Sequence, residues 1–283
     1  MMKRFAALVL GILLCIQALP SLCEGKADTT AGPGLLHFLV LGFDFWGDER
    51  IGVSYSDTNI LASVDTANNR LLVTCLLRDS WVQYPDGKWG RLNGIVRDQG
   101  FEAMLEAVEL NYQVHADHYL AIGVKGLQRV IDALGGVEIT LTKDEAGKLK
   151  AVPGVHGAGT YTLGGYGAVQ YMRIRYLSGY DFARTERQRK VLAQVFRQIQ
   201  HMSMNQALEL ARVLFEEVET NMSLFELIQA VTMLYGMRGA KLEMLHLPAS
   251  GSYKTSTIHE MAVLELDWAL NRKVLHEFLY GKD

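Results

Sequence analysis

Asn59-Ile-Leu-Ala-Ser-Val-Asp-Thr-Ala-Asn-Asn-Arg-Leu-Leu-Val-Thr-Cys-Leu-Leu77 holds two apolar runs around a polar centre. Asn59–Val64 and Leu71–Leu77 each have the length of a buried strand. Asp65-Thr-Ala-Asn-Asn-Arg70 between them is turn chemistry, so the stretch predicts an antiparallel hairpin. Upstream, Leu35–Leu41 is a continuous apolar run ending at Gly42 and predicts a further strand. Downstream, Phe101, Met104, Leu105, Val108 and Tyr112 have helical spacing. A strand (His118–Val124), a helix (Gly126–Leu134), a Gly135-Gly136 stop and a strand (Val137–Leu141) follow. Helices are expected near Asn205–Glu219 and Ser223–Met237, then a strand over Leu242–Leu247 and an amphipathic helix over Trp268–Tyr280. Interleaved strands and helices argue for layers, and the hairpin puts antiparallel pairs among them. The expectation is an α/β protein, a three-layer α/β/α sandwich with a mixed central sheet. Lys143–Gly167 carries seven glycines and one proline and reads as a mobile loop.

The 283 residues, 49% of them hydrophobic, suffice for a sizeable core. A net charge of −3 argues against nucleic-acid binding, which needs a broad basic surface. At the N-terminus, Lys3 and Arg4 precede an apolar run from Phe5 to Leu19, broken only by Gln17, with Pro20 and Ser21 behind it. That is the layout of a secretory signal. The run has 15 residues, short of the roughly 20 that span a bilayer. Residues 1–23 are therefore expected to be a signal peptide or an N-terminal membrane anchor, 24–34 a linker and 35–283 the folded domain. The domain would lie outside the cytoplasmic membrane. Cys15 and Cys23 fall in or beside the signal, so Cys75 is alone in the domain and reads as a small core residue.

Positive charge concentrates in Tyr171–Lys190, where six basic residues stand against Asp181 and Glu186. Tyr171–Tyr176 reads as a strand, which would turn Tyr171, Arg173 and Arg175 to one face. From Asp181, a plausible N-cap, the period becomes helical, with Val191, Leu192, Val195, Phe196 and Ile199 as the apolar stripe. Arg184, Arg187 and Gln188 fall at i, i+3 and i+4 and cluster in the first turns. Two strand arginines and two helix arginines beside a helix N-terminus suit a dense anion such as a pyrophosphate. A solvated basic face is the competing reading.

Two acids flank apolar strands. Asp44 follows Leu39-Val-Leu-Gly-Phe43, and Asp57 precedes Thr58-Asn-Ile-Leu61. On neighbouring strands they would share one sheet edge and suit Mg²⁺, which takes one or two carboxylates plus substrate phosphate oxygens. Arg78-Asp79 ends a third strand, as a phosphate clamp with its orienting acid or as an exposed ion pair. Arg91 and Asn93 follow a glycine-rich turn. Asn93 either contacts substrate or caps the next helix.

These residues carry a resemblance. Leu39-Val-Leu-Gly-Phe-Asp44, Ser56-Asp-Thr58, Arg78-Asp79, Arg91-Leu-Asn93, Leu134-Gly-Gly-Val-Glu138, Tyr171-Met-Arg-Ile-Arg175 and Asp181-Phe-Ala-Arg-Thr-Glu-Arg-Gln188 occur in the order seen in the LytR-CpsA-Psr family. The resemblance implies a phosphotransferase that moves a glycopolymer from an undecaprenyl-pyrophosphate carrier onto peptidoglycan, at the outer face of the cytoplasmic membrane, using Mg²⁺. It implies Asp44 and Asp57 as metal ligands. Arg78, Arg173, Arg175, Arg184 and Gln188 would be the catalytic residues, with Arg91, Asn93 and Arg187 contacting substrate. It also implies an apolar tunnel for the polyprenyl tail, with its mouth beside Arg173, Arg175 and Arg184. The expected walls are the helices at Phe101–Val108 and Val191–Ile199. Two positions depart from the family pattern: Tyr55 stands where an Arg is usual, which removes a positive charge, and Leu77 where a Pro is usual. A non-catalytic polyprenyl-pyrophosphate-binding protein and a pyrophosphatase that releases polymer to water are the alternatives.

Overall fold

The computed structural model describes residues 35–44, 54–174, 180–237 and 239–281, with the side chains of 180–185 set aside. The expected signal or anchor and the linker lie outside the described residues. The elements run β1 (Leu35–Phe43), β2 (Ser56–Asp65), β3 (Arg70–Leu76), β4 (Trp81–Gln83), β5 (Trp89–Arg91), α1 (Ile95–Gln99), α2 (Phe101–Tyr112), β6 (His118–Gly123), α3 (Val124–Ala133), β7 (Val137–Leu141) and α4 (Lys143–Lys148). They continue as β8 (Gly159–Leu163), α5 (Gly165–Met172), α6 (Tyr180–His201), α7 (Met204–Glu217), β9 (Val218–Thr220), α8 (Leu224–Gly236), β10 (Lys241–Leu247), β11 (Tyr253–Ile258), β12 (Met261–Leu266) and α9 (Trp268–Tyr280).

The expected hairpin forms two inner strands of the six-stranded sheet. β2 and β3 pair antiparallel from Asn59–Leu76 to Asp65–Arg70. The Asp65 carboxylate closes the turn, accepting from the Asn68 amide (2.9 Å) and the Arg70 guanidinium (2.7 Å). β1 pairs antiparallel with β2 and parallel with β6, and β10 pairs parallel with β3. The sheet order is β10-β3-β2-β1-β6-β9, so the sheet is mixed, as expected.

The two faces of this sheet are covered unequally. Period-two alternation sends Leu39, Leu41 and Phe43 of β1 to one face and Leu36, Phe38 and Val40 to the other. The first set packs with α2 (Met104, Ala107, Val108) and α9 (Leu275, Leu279), each of these helix residues fully buried. The second set faces α6 and α8 and is only half-buried, as are Leu192, Met233, Leu234 and Met244 around it.

Two expectations are corrected. Lys143–Gly167 is structured: α4 starts in a capping box between Thr142 and Glu145, and β8 pairs with β7. Gly164, Gly165 and Gly167 serve close packing. A Cβ on Gly165 would sit 2.1 Å from the Gln128 carbonyl oxygen of α3, so a side chain there would drive α5 off α3. The strand expected over Tyr171–Tyr176 begins instead as the end of α5, which runs to Met172, with Arg173 as its C-cap at φ −90°, ψ −2°. Ala168, Val169 and Tyr171 are buried in that helix, so burial at helical spacing prevails over the alternating pattern. α6 begins at Tyr180, one residue ahead of the expected cap.

His37 of β1 is buried with its Nδ1 2.7 Å from the Ser63 hydroxyl. Burial drives its pKa down to about 4, against an upward pull from Asp117. The unfolded imidazole protonates below about 6.5, the folded one only near 4. Stability present above pH 6.5 should therefore fall as the pH drops towards 4, by on the order of 3 kcal/mol. Urea midpoints across that range measure it, and a His37→Gln chain should lack this component.

Candidate functional site

The site collects where β1, β2 and β3 meet the C-terminal end of α5. The β1–β2 register runs Gly42–Thr58 and then Phe43–Ser56, so Asp57 is the extra residue of a bulge. A bulge bends the strand and re-aims its extra side chain. Gly42 makes room for it, since a Cβ there would lie 3.0 Å from that of Thr58. Asp44 follows the end of β1. The two acids thus sit at the same end of neighbouring strands, as the sequence led us to expect.

Arg78 lies two residues beyond the Asn59–Leu76 pair, which brings it opposite Asp57 across the β2–β3 ladder. The two side chains form an ion pair. Arg78 Nε is 3.5 Å from Asp79 Oδ2, and Asp79 Oδ1 is 3.3 Å from Arg91 Nη1. Arg173 places Nη2 3.0 Å from Asp44 Oδ1. The C-terminal end of α5, with its unsatisfied carbonyls, favours a cation there. All these side chains keep partial solvent access, so the pairs are weak as structural ties and remain open to an incoming anion. Asn93 is 4% exposed, its backbone N–H donates to the Arg78 carbonyl at 3.1 Å, and its Oδ1 has no hydrogen-bond partner among the described residues.

Gln188 of α6 lines a cavity of about 280 Å³ together with Asp57, Arg78 and Asp79. Ile60, Cys75, Leu192 and Leu264 form apolar parts of its wall. Burial pushes the Cys75 thiol up to about 11, against a downward pull from Arg189. The cavity lies on the half-buried face of the sheet. The expected pairing of tunnel walls is therefore corrected: Phe101–Val108 belongs to the close-packed opposite face, and only the Val191–Ile199 segment borders this side.

Arg187 is placed differently from its neighbours. It is 7% exposed, with Nε 2.9 Å from Glu145 Oε1 and Nη1 donating to the Ile174 carbonyl at 3.4 Å. It ties α6 to α4 and to the residue after Arg173. Arg175 lies outside the described residues, as does the side chain of Arg184. No group of three His, Cys, Asp or Glu side chains suited to a metal occurs among the described residues. Two carboxylates still match Mg²⁺, which binds through one or two of them with phosphate oxygens and water completing its shell.

Sequence reasoning missed a second group beside the first. Tyr55 carries the Arg97 guanidinium 4.2 Å above its ring and that of Arg91 at 5.9 Å, and Arg97 also donates to the Tyr55 hydroxyl. An aromatic before a Ser-Asp bulge is no cation signal by itself. Only the fold brings Arg91 and Arg97 to it.

With this geometry described, comparison with known proteins is informative. Residues 24–273 match the LytR_cpsA_psr family model, and the chain belongs to that family. A relative from Enterococcus faecalis, the polyisoprenyl-teichoic acid–peptidoglycan teichoic acid transferase TagU, is 28% identical over 218 residues, 75% of this chain and 70% of that one. Among solved structures, a Streptococcus agalactiae protein superposes with a TM-score of 0.74 at 21% identity, covering 88% of this chain and 89% of the other. Bacillus subtilis TagT gives 0.70 at 19% identity, covering 90% and 96%. These likenesses establish the fold.

Burial raises and hydrogen bonds from Thr142 and Arg187 lower the Glu145 pKa, and the net shift is downward. The Glu145–Arg187 pair should thus be complete above pH 4.5 and lost as pH falls below it through the depressed folded value. Glu145→Ala strands a buried guanidinium and should cost about 3–5 kcal/mol in a denaturation midpoint at pH 7. The loss should shrink in acid.

Proposed function

We propose that this chain is a cell-wall glycopolymer phosphotransferase working at the outer face of the cytoplasmic membrane. Its donor would be a glycopolymer on a polyprenyl pyrophosphate such as undecaprenyl pyrophosphate, and its acceptor peptidoglycan. One observation carries the reading: Asp57, Arg78 and Asp79, with Arg91 joined to them through Asp79, form a charged network that borders an apolar cavity on the loosely covered face of the sheet. A polyprenyl pyrophosphate has that same division, a dense dianionic head joined to an apolar tail. Each buried CH₂ of the tail contributes about 0.8 kcal/mol, so such a substrate seeks an apolar wall next to the cations. The cavity is at the small end for a ligand site, and the half-buried residues Phe38, Val40, Met233 and Leu234 offer the tail further apolar surface.

In this reading an acceptor sugar hydroxyl attacks the polymer-side phosphorus. A new P–O bond forms to the acceptor, the P–O bond to the carrier phosphate breaks, and undecaprenyl phosphate leaves with the electron pair. Arg78 and Arg173, with Arg175 and Arg184, neutralise the charge that grows on the leaving phosphate, the main demand of phosphoryl transfer. Gln188 donates to a phosphate oxygen. Asp44 and Asp57 would hold Mg²⁺, which supplies further charge neutralisation at the pyrophosphate. Asp44 would take the hydroxyl proton. Arg187, sealed against Glu145, orients the segment that carries Arg173.

The Tyr55 departure favours the second reading, a binder without turnover. Against it, the Tyr55 ring gathers Arg91 and Arg97, so positive charge is retained at that corner.

The test is turnover of a short-chain prenyl-pyrophosphate glycan with and without a peptidoglycan acceptor. Transfer supports the phosphotransferase, release to water alone the pyrophosphatase, and binding without turnover the binder. Arg78→Ala should lower kcat/KM roughly 10²–10³-fold with little change in melting temperature. An unchanged rate would remove Arg78 from the mechanism.

A further inference from the structure

The bulge in β2 decides which way Asp57 points. In β1, Leu41 and Phe43 face the α2 and α9 layer, and their partners across the ladder are Asn59 and Ser56. Gly42 pairs with Thr58, so in an unbroken ladder the partner of Phe43 would be Asp57. A strand alternates faces with period two, and that register would turn the Asp57 carboxylate into the close-packed layer. The bulge puts Ser56 there instead, small, neutral and 0% exposed. Asp57 keeps a side chain that is 24% exposed and paired with Arg78. A slip of one residue therefore separates an acid at the anion site from a carboxylate facing apolar side chains.

One side chain spans this irregularity. Asn59 Nδ2 donates to the Ser56 carbonyl at 3.2 Å, closing a loop over Asp57 and Thr58. Asparagine side chains bond nearby backbone groups readily in this way. The ladder partners of Asn59 are Leu41 and Leu76, and it is buried. An amide in that setting loses water at both polar atoms. Nδ2 has the Ser56 carbonyl, while Oδ1 has no partner among the described residues. Desolvation of the amide thus offsets much of what its one bond contributes to stability. Asn59 is a weak tie energetically, yet it holds the carbonyl on the far side of the extra residue. Resting on the phosphotransferase reading for the task of Asp57, we infer that Asn59 is a positioning residue: its side chain staples the bulge in the register that holds Asp57 opposite Arg78.

The test uses Asn59→Leu, which keeps a branched side chain of similar shape but cannot donate, and Asn59→Val as a shorter second variant. Each is made alone and together with Asp57→Asn. Two quantities are read. One is the factor by which Mg²⁺ strengthens binding of farnesyl pyrophosphate, since a carboxylate and phosphate oxygens share that ion. The other is the carboxyl carbon-13 shift of Asp57 by NMR, assigned by its loss in Asp57→Asn. Asn59→Leu should cut the Mg²⁺ factor about tenfold, the loss of one charge-assisted contact, and should move the Asp57 shift. In the Asp57→Asn background the same substitution should change the factor by no more than about twofold, because both changes remove one function. A packing role alone predicts losses that multiply and an Asp57 shift that stays. Either of those results overturns the inference, and so does loss of the fold in both variants, since Asn59 would then be a requirement of folding. If Mg²⁺ does not strengthen binding to the native chain, the metal-assisted part of the phosphotransferase reading falls, and the Asp57 shift by itself decides whether Asn59 aims that side chain.

Discussion

The opposition of Asp57 and Arg78 is the contact on which the rest of the site depends. It exists because a bulge in β2 places an extra residue where the hairpin ladder has run out of pairs. Arg78 then reaches Asp79, and Asp79 reaches Arg91, so one backbone irregularity sets a row of charges along the sheet's end. Arg173 and Asp44 form a parallel pair from a different route, the end of a helix meeting the end of a strand. Neither set is sealed from water. Sealing belongs to Arg187 and Glu145, which have no room for a ligand and hold the surrounding elements together. A buried pair and a half-exposed row of pairs, built from the same residue types, thus do opposite work.

Much of the fold was legible in the sequence because its signals are local. The hairpin turn at Asp65–Arg70 says what it does within a few positions. The acids at 44 and 57 were legible as strand-end residues, and Arg78 as the residue past an apolar run. What was hidden is non-local. Arg187 finds Glu145 forty-two residues away, and nothing near Arg187 distinguishes it from a substrate arginine. Tyr171–Arg173 alternates like a strand, and only packing of Ala168, Val169 and Tyr171 reveals a helix. The glycines of Lys143–Gly167 look like slack, yet Gly165 is required by the backbone of α3. The β4 and β5 strands are three residues each, below the length at which a periodic signal exists.

The uneven coverage of the sheet has a thermodynamic consequence. Close packing on the α2 and α9 side supplies dispersion contacts and excluded water that the α6 and α8 side only partly supplies. The protein alone is therefore an incomplete core, and an apolar chain laid against Phe38, Val40 and Met233 would act as a missing piece of it. Occupancy and folding are then linked: the occupied protein resists unfolding more than the empty one, by an amount that grows with the logarithm of ligand concentration.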